Sequence, residues 1–231
     1  MADQRITAVL VCAGSGTRMK EQCGDKLLLE LEGIPVVVHT LLAYEKASSI
    51  DRIVVVTKQE LMELYRSFKE KYRLKKLQII VEGGRMRMES VLNGVRATTA
   101  DDTFVAIGDG ARPLIRAEDI DRTVQAAQKS GAAALGCYLT DTIKKVDSEK
   151  IIETVPRNHL VGIQTPQVFE RGEYLQLAEK ALSTGIEFTD DASIFEHFGK
   201  EVTFVEGHRD NMKITVPEDI PVMKAILEAR K

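Results

Sequence analysis

The sequence predicts an α/β fold organised on a mainly parallel sheet, and two observations carry that prediction. Short apolar runs recur at Ala8 to Val11, Ile53 to Val56, Leu77 to Val81 and Phe104 to Ile107, each of strand length. Between and after them, longer segments place apolar residues three and four apart, as helices covering a sheet require. Strand, helix, strand repetition implies a sheet sandwiched between helix layers, with ligands collecting beyond the carboxyl ends of its strands.

Taken in order, the first strand runs from Ile6 to Val11, and helices are predicted over Pro35 to Tyr44, Glu60 to Tyr72, Ser90 to Thr98 and Glu118 to Lys129. From Ala132 to Val168 the pattern changes to extended segments with polar turns. A pair of strands projecting from the main body fits this stretch, as does an ordinary surface hairpin. Helical periodicity resumes at Gly172 to Leu182, a short strand follows at Val202 to Val205, and Pro217 is expected in the first turn of a last helix.

At 231 residues and 44% hydrophobic, the chain is long enough to bury a substantial core, and one compact domain is expected over 1–231. Its 32 basic and 35 acidic residues nearly cancel, which removes the electrostatic reason to expect a nucleic-acid or anionic-membrane partner. No apolar run approaches the roughly 20 residues of a bilayer span, and the N-terminus lacks the pattern of a signal peptide, so a cytoplasmic location is expected. Cys12, Cys23 and Cys137 show no CxxC spacing and His39, His159, His197 and His208 are scattered, so neither set reads as a zinc site. Cys12, closing an apolar strand, reads as a small buried residue.

Chemistry is signalled after strands. The first strand leads into Ala13-Gly14-Ser15-Gly16-Thr17-Arg18, where small residues let backbone N–H groups approach a phosphate and Arg18 can fork onto its oxygens. Lys26 adds a point charge. The segment lacks the Gly-Lys-Ser/Thr ending of a Walker loop, and Met19 stands where a dinucleotide fingerprint needs its third glycine. After the strand ending at Ile107, Gly108-Asp109-Gly110-Ala111-Arg112 offers Asp109 to a magnesium ion bridging triphosphate oxygens, or forms a simple Asp-Gly turn. Arg112 there suits a phosphate or a neighbouring carboxylate. Glu82-Gly83-Gly84-Arg85 opens a third loop, flat enough for a base to lie on, with Ser90 available to its edge. Thr142, Arg157, Thr165 and Lys213 are polar or basic positions in apolar or extended surroundings, and their residue types alone do not make them a set.

Six motifs then occur in order: Ala-Gly-x-Gly-x-Arg-Met from Ala13, Gly-Gly-x-x-Arg-x-x-Ser-Val from Gly83, Asp-x-Ala-Arg-Pro from Asp109, Gln-Thr-Pro-Gln-x-Phe from Gln164, Thr-Asp-Asp-Ala-Ser from Thr189 and Asp-Asn-x-Lys-Ile-Thr from Asp210. Together they resemble the 2-C-methyl-D-erythritol 4-phosphate cytidylyltransferases of the non-mevalonate isoprenoid pathway. The resemblance implies a three-layer, Rossmann-like nucleotidyltransferase fold with a projecting β-arm at about 139–168. It implies transfer of a cytidylyl group from CTP to methylerythritol phosphate with release of pyrophosphate, assisted by Mg²⁺ or another divalent cation. On the matching positions, Arg18 and Lys26 are the transition-state stabilisers. Ala13, Gly14, Gly16, Gly84, Ser90 and Asp109 surround the nucleotide, with Asp109 also the metal-side carboxylate. Arg157 and Lys213 hold methylerythritol phosphate, with Thr142, Thr165 and Arg112 in the same pocket. The resemblance further implies a homodimer in which the arm lends Thr142 and Arg157 to the partner's site. The sequence departs from the family's usual pattern at Gly24-Asp25 before Lys26, at Arg85 and at Gly108-Asp109-Gly110. A ribitol 5-phosphate cytidylyltransferase is the nearest alternative, and a nucleotide-binding paralogue without chemistry is the alternative from another class.

Overall fold

The computed structural model describes residues 4–14 and 25–231. Seven strands form one sheet in the order β11-β7-β10-β6-β1-β4-β5. They are β1 (Arg5–Val11), β4 (Arg52–Thr57), β5 (Leu77–Glu82), β6 (Asp102–Asp109), β7 (Ala132–Tyr138), β10 (Val161–Glu170) and β11 (Thr203–Glu206). β1 pairs in parallel with β4 and β6, β4 with β5, and β7 with β11, whereas β10 runs antiparallel to both β6 and β7. Two short pairs complete the strands: β2 (Glu30–Leu31) with β3 (Ile34–Pro35), and β8 (Ile143–Asp147) with β9 (Lys150–Val155).

Alternation along the central strands divides the core into two layers. Ala8, Leu10, Ile53, Val55 and Ala106 face one side, where α1 (Val36–Lys46), α2 (Met62–Lys71), α4 (Ala117–Ser130) and α7 (Asp219–Ala229) cover them. Val9, Val54, Val56, Val105 and Ile107 face the other, against α3 (Arg87–Arg96), α5 (Arg171–Thr184) and α6 (Asp191–His197). Both faces of the sheet are therefore dry, which is why its strands read as near-continuous apolar runs. No helix among the described residues is long and apolar enough to cross a membrane.

The expected strands and helices appear, with shifts that have local causes. α3 begins at Arg87, before Ser90, because the Glu89 carboxylate reaches back to accept from the N–H groups of Arg85 and Met86 at 2.7 and 3.2 Å. Pro217 lies in the turn before α7 and not in its first helical turn. The helix starts at Asp219, whose carboxylate accepts from the N–H groups of Thr215 and Val216 at 2.7 and 3.0 Å. Within 139–168 the separate two-stranded pair comprises β8 and β9 alone, and residues from Val161 onward belong to the central sheet as β10. The short helix α6 has no counterpart among the predicted elements. It is set by its Asp190 cap, which accepts from the Ser193 N–H at 3.0 Å.

Candidate active site

The chain passes from β1 outward to β4 and β5 on one side, then crosses back to β6 on the other side of β1. The strand order thus reverses between β1 and β6, where an open α/β sheet leaves a crevice at its carboxyl edge. Val11 and Asp109 stand opposite each other at the last paired position of these two strands, so both glycine-containing loops leave the sheet side by side. The Gly110 N–H donates to the Val11 carbonyl at 3.1 Å and continues the ladder past the strand ends.

A cleft of about 340 Å³ opens there. Ala13, Gly14 and Lys26 form one wall, Gly84 to Arg87 and Ser90 a second, and Asp109, Ala111 and Lys213 the floor and third side. Gly83 brings the first two walls together: a Cβ on it would stand 2.5 Å from that of Ala13, closer than any side chain tolerates. Ser90 is buried and turned into its own loop, its hydroxyl accepting from the Gly84 N–H at 3.0 Å and donating to the Met86 carbonyl at 3.0 Å. Its visible task is to shape the glycine loop at the start of α3.

Asp109 is the electrostatic centre. Lys213 Nζ lies 2.9 Å from its carboxylate, Arg112 Nε at 3.7 Å and an Arg87 guanidinium nitrogen at 4.0 Å. Burial alone would raise the Asp109 pKa, but Lys213, Arg87 and Arg112 outweigh it and hold the carboxyl below the usual range. For Arg112 burial dominates, and its pKa is lowered. Arg112 pairs with the Asp109 carboxylate, and it also donates to the Asn211 carbonyl at 2.7 Å. The Thr165 hydroxyl accepts from the Asp109 N–H at 3.1 Å and steadies the same residue from β10.

Lys213 and Lys26 arrive through one connection. The Ile214 N–H donates to the Ala111 carbonyl at 2.9 Å, pinning segment 211–214 beside the end of β6. Lys26 Nζ then donates to the Ile214 carbonyl at 2.8 Å. Asn211, almost fully buried, ties the segment to β10 by donating to Gln164 Oε1 at 2.9 Å and the Thr165 carbonyl at 3.2 Å.

Of the residues singled out from sequence, the structure gathers Ala13, Gly14, Lys26, Gly84, Ser90, Asp109 and Lys213 around this cleft, with Arg112 and Thr165 against Asp109. Gly16 and Arg18 lie outside the described residues. Thr142 and Arg157 flank the β8–β9 hairpin, exposed and away from the cleft lining, with Arg157 donating to the Thr140 carbonyl. Two residues escaped the sequence reading of the site, Arg87 and its partner Asp191, although each sits inside one of the six motifs. Their motif positions were the available signal. Cys12 is buried, and burial pushes its thiol up to about 12, which removes it from nucleophilic roles near neutral pH.

A glycine loop after β1, a carboxylate at the end of β6 and converging cations at the switch point define the site of a nucleotidyltransferase. The family model described as 2-C-methyl-D-erythritol 4-phosphate cytidylyltransferase matches residues 6–229, and the chain belongs to that family. The 2-C-methyl-D-erythritol 4-phosphate cytidylyltransferase of Clostridium novyi is 40% identical over 223 residues, covering 96% of each chain. That of Caldanaerobacter subterraneus subsp. tengcongensis is 40% identical over 224 residues, covering 96% of this chain and 98% of its own. Among solved structures, the 4-diphosphocytidyl-2C-methyl-D-erythritol synthase of Anaerococcus prevotii superposes with a TM-score of 0.86 at 30% identity, covering 97% of this chain and 96% of its own.

Proposed function

We propose that this protein transfers the cytidylyl group of CTP to 2-C-methyl-D-erythritol 4-phosphate, giving 4-diphosphocytidyl-2-C-methyl-D-erythritol and pyrophosphate. The observation that carries the reading is Asp109 at the switch point, flanked by Lys213 and Arg87 and sharing one cleft with Ala13, Gly14 and Gly84. In this reaction a phosphate oxygen of the acceptor attacks the α-phosphorus of CTP and pyrophosphate leaves. Such a displacement needs its reactants aligned and the charge on phosphorus neutralised. Ala13, Gly14 and Gly16 are proposed to cradle the triphosphate and Gly84 with Ser90 to seat the base. Arg18 and Lys26 neutralise the developing charge.

A divalent cation belongs to this reading. The donor set suits Mg²⁺: among the described residues lining the cleft, Asp109 is the one carboxylate. A Mg²⁺ ion typically takes one or two carboxylates and completes its shell with substrate phosphates and water. Asp109 would hold it, and the bound ion would neutralise triphosphate charge.

Lys213, with Thr165 and Arg112 behind Asp109, is proposed to receive the acceptor phosphate. Thr142 and Arg157 are proposed to serve the cleft of a second subunit in a homodimer. Support for that role comes from the hairpin itself, whose Val146, Ile151 and Ile152 are 61, 66 and 58% exposed on a two-stranded pair that cannot form its own core. A cytoplasmic location completes the proposal.

The deciding experiment measures pyrophosphate release from CTP and magnesium with methylerythritol phosphate and with ribitol 5-phosphate. Turnover with the former is expected. Turnover with ribitol phosphate alone would replace the acceptor, and CTP binding without turnover on either would replace catalysis by nucleotide binding.

A further inference from the structure

Arg87 opens α3 and lines the cleft, yet its closest ionic partner belongs to another part of the chain. Asp191, the first residue of α6, is fully buried and accepts from an Arg87 guanidinium nitrogen at 2.7 Å through one carboxylate oxygen. Its other oxygen accepts from the Tyr174 hydroxyl at 2.7 Å. Tyr174 is itself fully buried, its ring packed near Phe169 and Phe195, so the hydroxyl has a fixed direction. At the same end, α6 is fastened to β10 by the Ala192 N–H donating to Gln167 Oε1 at 2.8 Å.

The three cations around Asp109 are therefore held differently. Lys213 has a flexible stem and a side chain 44% exposed, whereas Arg112 is tied to the Asn211 carbonyl on the inner side. Arg87 reaches the cleft while its guanidinium is anchored to a buried anion. Removing a carboxylate from water is costly, and a polar group left unpaired there costs more, so Asp191 holds Arg87 firmly. The guanidinium nitrogen that donates to Asp191 at 2.7 Å is also the one that stands 4.0 Å from Asp109, so a single anchored nitrogen lies between the two carboxylates.

We propose that Arg87 is a further positioning residue of the cytidylyl transfer, the fixed cation whose charge faces the Asp109 carboxylate in the cleft, and that Asp191 with Tyr174 acts on the reaction only through Arg87. The proposal rests on the reaction given above.

A double-mutant cycle on the full chain tests it, using Arg87→Met, Asp191→Asn and the pair, with Arg87→Lys and Tyr174→Phe as gentler variants. At saturating substrates and well below each thermal midpoint, Arg87→Met is expected to lower kcat on the order of 10²-fold, and Asp191→Asn about tenfold. The double variant should match Arg87→Met to within about twofold, since Asp191 has nothing left to position. Arg87→Lys should recover part of the loss, and Tyr174→Phe should cost roughly two- to threefold. Calorimetric affinity for CTP with magnesium should follow the same non-additive pattern. Multiplying effects in the double variant, or an Arg87→Met kcat within about threefold of wild type, would overturn the assignment. If Asp191→Asn fails to fold, Arg87→Lys and Tyr174→Phe decide: kcat unchanged in both overturns the proposal, and graded losses at wild-type thermal midpoints sustain it. Absence of turnover by the wild-type chain would overturn the reaction, while the affinity cycle would still read the coupling.

Discussion

The Asp109 cleft and the β8–β9 hairpin both carry candidate substrate residues, but they hold them in opposite ways. In the cleft, Lys213 meets a buried carboxylate whose neighbours come from β6, β10 and α3. At the base of the hairpin Thr142 and Arg157 are exposed, and toward its turn so are Val146, Ile151 and Ile152. The cleft is organised by one chain, because the cost of burying Asp109 is offset only when its cations are close. The hairpin shows the reverse: Val146, Ile151 and Ile152 are left exposed on a two-stranded pair. The difference teaches that the Asp109 cleft is assembled within one chain, whereas the proposed part of the hairpin in the site depends on a second one.

The sharpest way to break the comparison is to remove the centre of the cleft. Asp109→Asn should lower kcat on the order of 10²- to 10³-fold in the pyrophosphate-release assay, because the residue both pairs with Lys213 and is the proposed metal ligand. A kcat near wild type would show that the cleft is organised by something else. The second test compares the two regions directly. Lys213→Ala and Arg157→Ala should each reduce kcat/KM for methylerythritol phosphate by about 10- to 100-fold while changing the KM for CTP little. A loss confined to Lys213 would leave the hairpin without a part in the site.

Next, replacing Ile151 and Ile152 with serine should shift the protein toward monomer in analytical ultracentrifugation and lower activity roughly tenfold, with the thermal midpoint of the monomer little changed. Full activity in a monomer would refute the idea that the acceptor side needs two chains. A smaller effect concerns pH. The Asp109 pKa is held below its unfolded value of about 3.9, so its contribution to stability is fully present above that value and is lost as the pH falls through the lower, folded one. Urea unfolding from pH 7 downward should therefore show a wild-type advantage over Asp109→Asn that persists to about pH 4 and shrinks below it. An advantage constant across the acid range would contradict that coupling. The smallest expected effect is at Cys12: Cys12→Ala should leave turnover within about twofold of wild type, since burial keeps its thiol protonated.

How far these regions were legible from sequence differs for a physical reason. β1, β4, β5 and β6 were visible as apolar runs because both faces of the sheet are covered, and that burial is written into consecutive residues. The loops after β1 and β6 were visible because small residues and a carboxylate follow those runs directly. β10 was not separable from the hairpin, since extended composition does not say which strand it pairs with, and antiparallel insertion between β6 and β7 is a decision of the whole sheet. Arg87 and Asp191, 104 residues apart, carried no local sign of their pairing.

By itself, then, the sequence determined the strand and helix periods, the run of small residues from Ala13 and the presence of Asp109 at a strand end, since each depends on neighbours in the chain. Only the tertiary structure decided that Lys213, Arg112 and Arg87 share that carboxylate, that Lys26 reaches the Ile214 carbonyl, and that Arg157 stands apart from them. Ion pairs are set by distances across the sheet, and those distances follow from strand order, which no local pattern encodes.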